Sequence, residues 1–168
     1  RLVEMARSVV PTSAQLIIGT GAESTKACVR RCREAAERGA NACLVVAPHY
    51  YSSAMNVAAL QGHYERVADE SPIPILLYNI PKYMHFKLEP ELVVRLSEHE
   101  NIVGMKDSSG DLDTLARYLL AQSPTFGVIT GHAGTWLKAL NMGVVGGILA
   151  AALFAPELTL EVARHASN

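Results

Sequence analysis

The sequence has 168 residues, of which 49% are apolar and 18% charged, and its formal net charge is −1. Such a chain is long enough for one globular domain with a sizeable core and is not a disordered segment. The near-zero charge leaves no electrostatic footprint for nucleic acid or an anionic membrane, and no apolar run is long enough to cross a bilayer.

Arg1–Val10 carries Leu2, Val3, Ala6, Val9 and Val10 at helical spacing, and Pro11 ends that helix. These first residues read as the middle of a helix, with no initiator Met and no signal or transit peptide. The sequence is therefore expected to begin inside a longer protein. A cytoplasmic location is expected, with the mitochondrion as the alternative. Leu16-Ile17-Ile18 is a short strand leading into Gly19-Thr20-Gly21. Ser24 or Thr25 caps a helix that buries Cys28, Val29, Cys32, Ala35 and Ala36 and stops at Gly39. Cys28, Cys32 and Cys43 are odd in number and lack metal-site spacing, so they read as reduced, partly buried thiols and no metal is expected.

Ala42–Val46 is a continuous apolar strand, followed by the loop His49-Tyr50-Tyr51-Ser52-Ser53 and a helix over about Val57–Ala68. Ile73–Tyr78 is the next strand, and a loop carries Lys82, Tyr83, Met84 and His85. Pro90 opens a helix with Leu92, Val93 and Leu96 on its apolar stripe. Ile102–Met105 is a strand ending on Lys106, and a helix over about Asp111–Ala121 follows. Phe126–Ile129 is a strand, Gly134–Asn141 a helix, Val144–Ala150 a last strand and Pro156–His165 a last helix.

One helix and then six strand–helix units call for a parallel sheet covered by helices. Two architectures fit: an open doubly wound sheet, or part of a (β/α)8 barrel, which needs about 250 residues when complete. In both, ligand chemistry belongs at the carboxyl ends of the strands. That end gathers Thr20, Tyr50, Tyr51, Tyr78, Lys106, Ser108, His132 and Gly146-Gly147.

Lys106 and Tyr78 close successive strands, which lie about 4.8 Å apart in a sheet. An amine against a low-dielectric wall is disfavoured in its charged form, and a neutral amine attacks carbonyls to form an imine. Carbon–carbon cleavage through an imine needs a second group to move a proton, and a phenol can do this. Tyr50 and Tyr51 read equally well as a subunit contact. His132 is a helix cap or a ligand-facing group, and Gly146-Gly147 admits close approach of a ligand or of a packed side chain. The stretch from Asp107 to Asp111 is a turn and helix start whose hydroxyls can also hold an anion. Turns at Gly19-Thr20-Gly21 and Thr130-Gly131-His132-Ala133-Gly134 precede helices, but neither makes a nucleotide-binding fingerprint.

Leu76-Leu77-Tyr78-Asn79-Ile80-Pro81 followed by Val103-Gly104-Met105-Lys106-Asp107-Ser108-Ser109-Gly110 resembles the dihydrodipicolinate synthase / N-acetylneuraminate lyase superfamily, class I pyruvate aldolases on a (β/α)8 TIM barrel. Gly19-Thr20-Gly21-Ala22 resembles the family's third-strand turn, Ala47-Pro48-His49-Tyr50-Tyr51 its fourth, Thr130-Gly131-His132-Ala133 its seventh and Gly146-Gly147-Ile148 its eighth. The resemblance implies strands three to eight of one barrel domain over residues 1–168, N-terminally incomplete. It implies that Lys106 forms the Schiff base, that Tyr78 transfers the proton, and that Tyr50 or Tyr51 completes a relay across a subunit interface. Candidate substrate contacts are Ser108, His132, Gly147, Ile148 and Tyr83. No metal and no cofactor is implied; the partners are a small 2-oxo acid and further copies of the chain, as a dimer or tetramer.

Two departures from the family pattern matter. The carboxylate-binding Gly-[Thr/Ser]-[Thr/Ser]-Gly-Glu motif is absent, and Tyr83 stands where dihydrodipicolinate synthases place an arginine. The second departure argues against lysine biosynthesis, and the Gly104-Met105-Lys106-Asp107-Ser108 stretch and the Pro48-His49-Tyr50-Tyr51 spacing resemble 4-hydroxy-2-oxoglutarate aldolase and related 2-keto-3-deoxy-sugar-acid aldolases more closely. The alternatives are a condensing synthase, a non-enzymatic keto-acid binder, and a structural fragment whose unclosed sheet is prone to aggregate.

Overall fold

A computed structural model describes residues 1–166. Helix α1 spans Leu2–Val9 and is followed by strand β1, Ile17–Gly19, and helix α2, Thr25–Glu37. Next come β2 (Ala42–Val46), α3 (Val57–Glu70), β3 (Ile75–Asn79), a one-turn helix α4 (Pro81–Met84) and α5 (Pro90–Leu96). The chain continues through β4 (Ile102–Asp107), α6 (Leu112–Tyr118), β5 (Gly127–Thr130), α7 (Trp136–Met142), β6 (Gly146–Gly147) and α8 (Pro156–Ala166). Among the described residues, no helix is long and apolar enough to cross a membrane.

Among the described residues the six strands pair in parallel and lie in strict sequence order, β1 to β6. This order decides between the two expected architectures. A doubly wound sheet reverses direction at a switch point. Here the winding never reverses, so right-handed crossovers place the helices between the strands on the same side, as in an arc of a barrel.

The two faces of the sheet show that arrangement residue by residue. Val45, Leu77, Met105 and Val128 are in register and fully buried, under the helices. One residue further on, Val46, Tyr78, Lys106, Ile129 and Gly146 form the next register layer, on the opposite, inner face. Val46, Tyr78 and Ile129 are only half-buried. The strands are apolar on both faces, but helices cover just one.

Side-chain caps fix the helix starts. Ser24 accepts from Ala27 N at 3.2 Å, Asn56 from Ala59 N at 2.9 Å, and Asp111 from Asp113 N at 3.0 Å. The expected loop over Lys82–His85 is instead mostly α4: Pro81 supplies a preset first-turn φ, and His85 ends the turn in the left-handed region at φ 62°. The last strand is shorter than expected from Val144–Ala150. Among the described residues it has a neighbour on one edge only, and Val145 N and Ile148 N extend that ladder to Val128 O and Thr130 O without forming further strand.

Candidate active site

The candidate site lies at the carboxyl ends of β3 and β4. Between these strands the register shifts: Ile75 pairs with Ile102, but Leu76 pairs with Gly104, so Val103 is passed over. Carried on unshifted, the first register would set Tyr78 against Met105. A one-residue slip exchanges faces. The shift therefore brings Tyr78 opposite Lys106 on the inner face. Both strands run one residue beyond the expected ends, to Asn79 and Asp107.

Lys106 is 9% exposed. Its Nζ donates to Tyr78 Oη at 3.3 Å and lies 4.4 Å from the centre of the Tyr78 ring. An amine and a phenol thus share one opening at the end of two adjacent strands. Gly131, at the end of β5, makes room for them. A Cβ there would stand 2.4 Å from Lys106 Cε and 2.0 Å from Ser108 Oγ, so any other residue would displace the lysine stem or the serine. Ser108 and Lys106 accordingly face the same point from either side of the turn.

Behind this pair lies a second layer. Asp107 is buried and accepts from Asn79 Nδ2 and Ser109 Oγ, each at 2.7 Å, and from Ser109 N at 3.2 Å. Burial pushes the Asp107 carboxyl above the usual carboxylate range, against the pull of those donors. Asn79 Oδ1 accepts from Leu88 N at 3.0 Å, and Leu88 O accepts from Tyr118 Oη at 2.5 Å.

The other expected site residues are placed less centrally. Tyr50 and Tyr51 are 77% and 71% exposed, and their rings meet edge to face with centroids 5.0 Å apart. Their loop is held by Glu23, whose carboxylate accepts from His49 N at 3.0 Å and Tyr50 N at 2.9 Å. His132 is exposed; its Nδ1 lies 3.1 Å from Thr135 Oγ1, and its N–H donates to Thr130 Oγ1. Ile148 is exposed and donates its N–H to Thr130 O at 2.9 Å. A Cβ on Gly147 would meet the Trp136 ring at 2.8 Å, so the close approach at this glycine is that of a packed side chain. Tyr83 is exposed on α4 beneath Lys82 Nζ. A cavity of about 890 Å³ lies elsewhere, between α2 and α3.

Sequence reading missed Glu23, Asn79 and Asp107. For the last two a signal existed: each directly follows Tyr78 or Lys106, so strand alternation sends them together to the opposite face. For Glu23 no local signal stood out.

A family model described as the dihydrodipicolinate synthetase family matches residues 1–168. A 4-hydroxy-tetrahydrodipicolinate synthase of Methanothrix thermoacetophila is 37% identical over 148 residues, covering 88% of this chain and 50% of that protein. A probable mitochondrial 4-hydroxy-2-oxoglutarate aldolase of Emericella nidulans is 36% identical over 156 residues, covering 92% and 50%. The crystal structure of a chloride-inhibited dihydrodipicolinate synthase from Acinetobacter baumannii, complexed with pyruvate, superposes with a TM-score of 0.87 at 31% identity, over 99% of this chain and 55% of that one. The chain spans about half the length of the curated relatives it matches. With these likenesses, the sequential parallel sheet is a partial (β/α) barrel.

Proposed function

The chain belongs to the dihydrodipicolinate synthetase family, and from that premise we propose that it carries the imine-forming centre of a class I aldolase. The substrate is a 4-hydroxy-2-oxo acid or a 2-keto-3-deoxy sugar acid, and the products are pyruvate or a related 2-oxo acid and an aldehyde. The observation that carries this reading is the half-enclosed contact of Lys106 Nζ with Tyr78 Oη at 3.3 Å on registered strands.

In the proposed reaction the Lys106 amine attacks the C2 carbonyl of the oxo acid, and loss of water leaves a protonated imine. The Tyr78 phenol gives its proton to the departing water, and the resulting phenolate takes the proton of the C4 hydroxyl. The C3–C4 bond breaks, its electron pair moves into the imine, and the aldehyde leaves. Tyr78 returns that proton to C3 of the enamine, and water then adds to the imine, giving a proton back to the Tyr78 oxygen, so that pyruvate, the amine and the phenol are released. Ser108, beside Lys106 across Gly131, is assigned to the substrate carboxylate. The Ile148 backbone, His132 and Tyr83 are assigned to the rest of the substrate.

The six strands are assigned as the third to eighth of an eight-stranded barrel, in one domain, with two further strands closing the gap between β6 and β1. Support comes from the two unpaired sheet edges and from relatives about twice as long. The exposed Tyr50–Tyr51 pair is assigned to a contact with a second copy, where one of the two joins the proton relay. A condensing reaction is the second reading, favoured by the name of the Methanothrix relative; Tyr83, in place of the family's arginine, speaks for cleavage. Lys106→Ala in the complete protein is expected to abolish cleavage of 4-hydroxy-2-oxo acids. A variant that keeps substantial activity would refute the assignment, and pyruvate binding without an imine would favour a non-enzymatic keto-acid binder.

A further inference from the structure

We propose that Asn79 and Asp107 are positioning residues for the Tyr78–Lys106 pair, clipping the same two strand ends together on the face away from the amine. The inference rests on the Schiff-base reading above. Asn79 and Asp107 form the register pair one step beyond Tyr78 and Lys106. Strand alternation turns the two pairs to opposite faces, so a clip behind the strands sets the distance in front of them.

The clip is defined at every polar atom. Asn79 gives its amide to Asp107 Oδ1 at 2.7 Å and receives Leu88 N on Oδ1 at 3.0 Å, so both ends of the amide are used. Asp107 also holds the Ser109 N–H and hydroxyl, which fixes the turn that starts with Ser108. Backbone bonds run through the same residues: Ser108 N donates to Asn79 O at 2.8 Å, and Gly131 N donates to Asp107 O at 2.7 Å. The ends of β3, β4 and β5 are thereby tied at one level, immediately behind Lys106. Tyr118 Oη extends the tie from Leu88 O to α6.

Joining two strands does not require a buried acid. An apolar pair would pack there without the cost of desolvating a carboxylate. What apolar residues lack is direction: they do not fix which atoms meet or at what separation. A misplacement of about 1 Å between reacting groups costs on the order of 100-fold in rate, and that is the quantity a directional clip controls.

The test is borohydride trapping of pyruvate on the complete protein, with rate measured against pyruvate concentration. Asp107→Ala is expected to lower the maximal trapping rate by roughly 10- to 100-fold, with the half-saturating concentration unchanged within about twofold. Asp107→Asn keeps an oxygen for Asn79 Nδ2 and Ser109 N and is expected to restore most of the rate. Asn79→Ala leaves Asp107 its bonds to Ser109 and gives the same measurement if Asp107→Ala does not fold. Folded variants that trap pyruvate at the wild-type rate overturn the positioning role and leave the Schiff base standing. No trapping by the wild type overturns both.

Discussion

The middle of the sheet and its two ends are made of similar residues in opposite circumstances. Strands β3 and β4 are paired on both edges, helices cover Leu77 and Met105, and a buried polar clip joins their carboxyl ends. Strands β1 and β6 have three and two residues, and each leaves one edge unpaired among the described residues. The flanking segments repeat the contrast. Leu2 and Val9 of α1, and Leu153 and Phe154 before α8, are exposed, the last two at 89% and 82%. The candidate chemistry therefore sits where the chain completes its own packing, and the exposed apolar surface sits where two further strands are proposed to close the barrel.

That contrast can be broken or sharpened by substitution. The largest effect is expected from Gly131→Ala, whose Cβ would enter the space of Lys106 Cε and Ser108 Oγ. Pyruvate trapping at Lys106 in the complete protein should be lost while the circular dichroism spectrum stays unchanged; undiminished trapping would mean the lysine does not use this opening. Next is Leu77→Ala in the central sheet, fully buried in the wild type. Urea denaturation should show a loss of about 2–5 kcal/mol.

A pH effect of similar size is expected from His63 on α3. It is buried, its Nδ1 meets Thr25 Oγ1 at 2.9 Å, and its Nε2 has no partner among the described residues. Burial pushes its pKa down from 6.5 to about 4. Between those values the unfolded chain binds the proton and the folded chain does not, so stability falls as pH drops from about 6.5 to 4. The loss attributable to this group is on the order of 3 kcal/mol. His63→Gln should flatten that part of the stability–pH curve, and an unchanged slope would contradict the assignment. The smallest effect belongs to the ends: Leu158→Ala, on exposed α8, should change stability by no more than about 0.5 kcal/mol. The same exposed ends should make the isolated 168-residue chain associate in sedimentation as its concentration rises. A monodisperse monomer would show that the edges need no cover.

Much of this arrangement is legible in the sequence. The apolar runs before Thr20, Pro48, Tyr78, Lys106 and Thr130 are strands because each is short, apolar and bounded by turn residues. The helices between them show their buried stripes. Spacing left the architecture open, because a doubly wound sheet and a barrel arc share the same βα alternation; strand order, a long-range property, separates them. Three features escape for related reasons. The register shift past Val103 depends on a neighbouring strand and has no local mark. The shortening of β6 reflects its unpaired edge rather than the residues of Val144–Ala150. The Asp107–Asn79 bond joins residues that read separately as a turn start and a strand end, and becomes visible once the two strands are set in register.

The central claim is that Lys106 forms an imine with a 2-oxo acid. Its most direct test is reduction by borohydride of the complete protein in the presence of pyruvate, followed by peptide mass mapping. The expected result is a single reduced adduct on the peptide that contains Lys106, lost in Lys106→Ala. An adduct on another lysine, or none on protein shown to be folded, would contradict the claim.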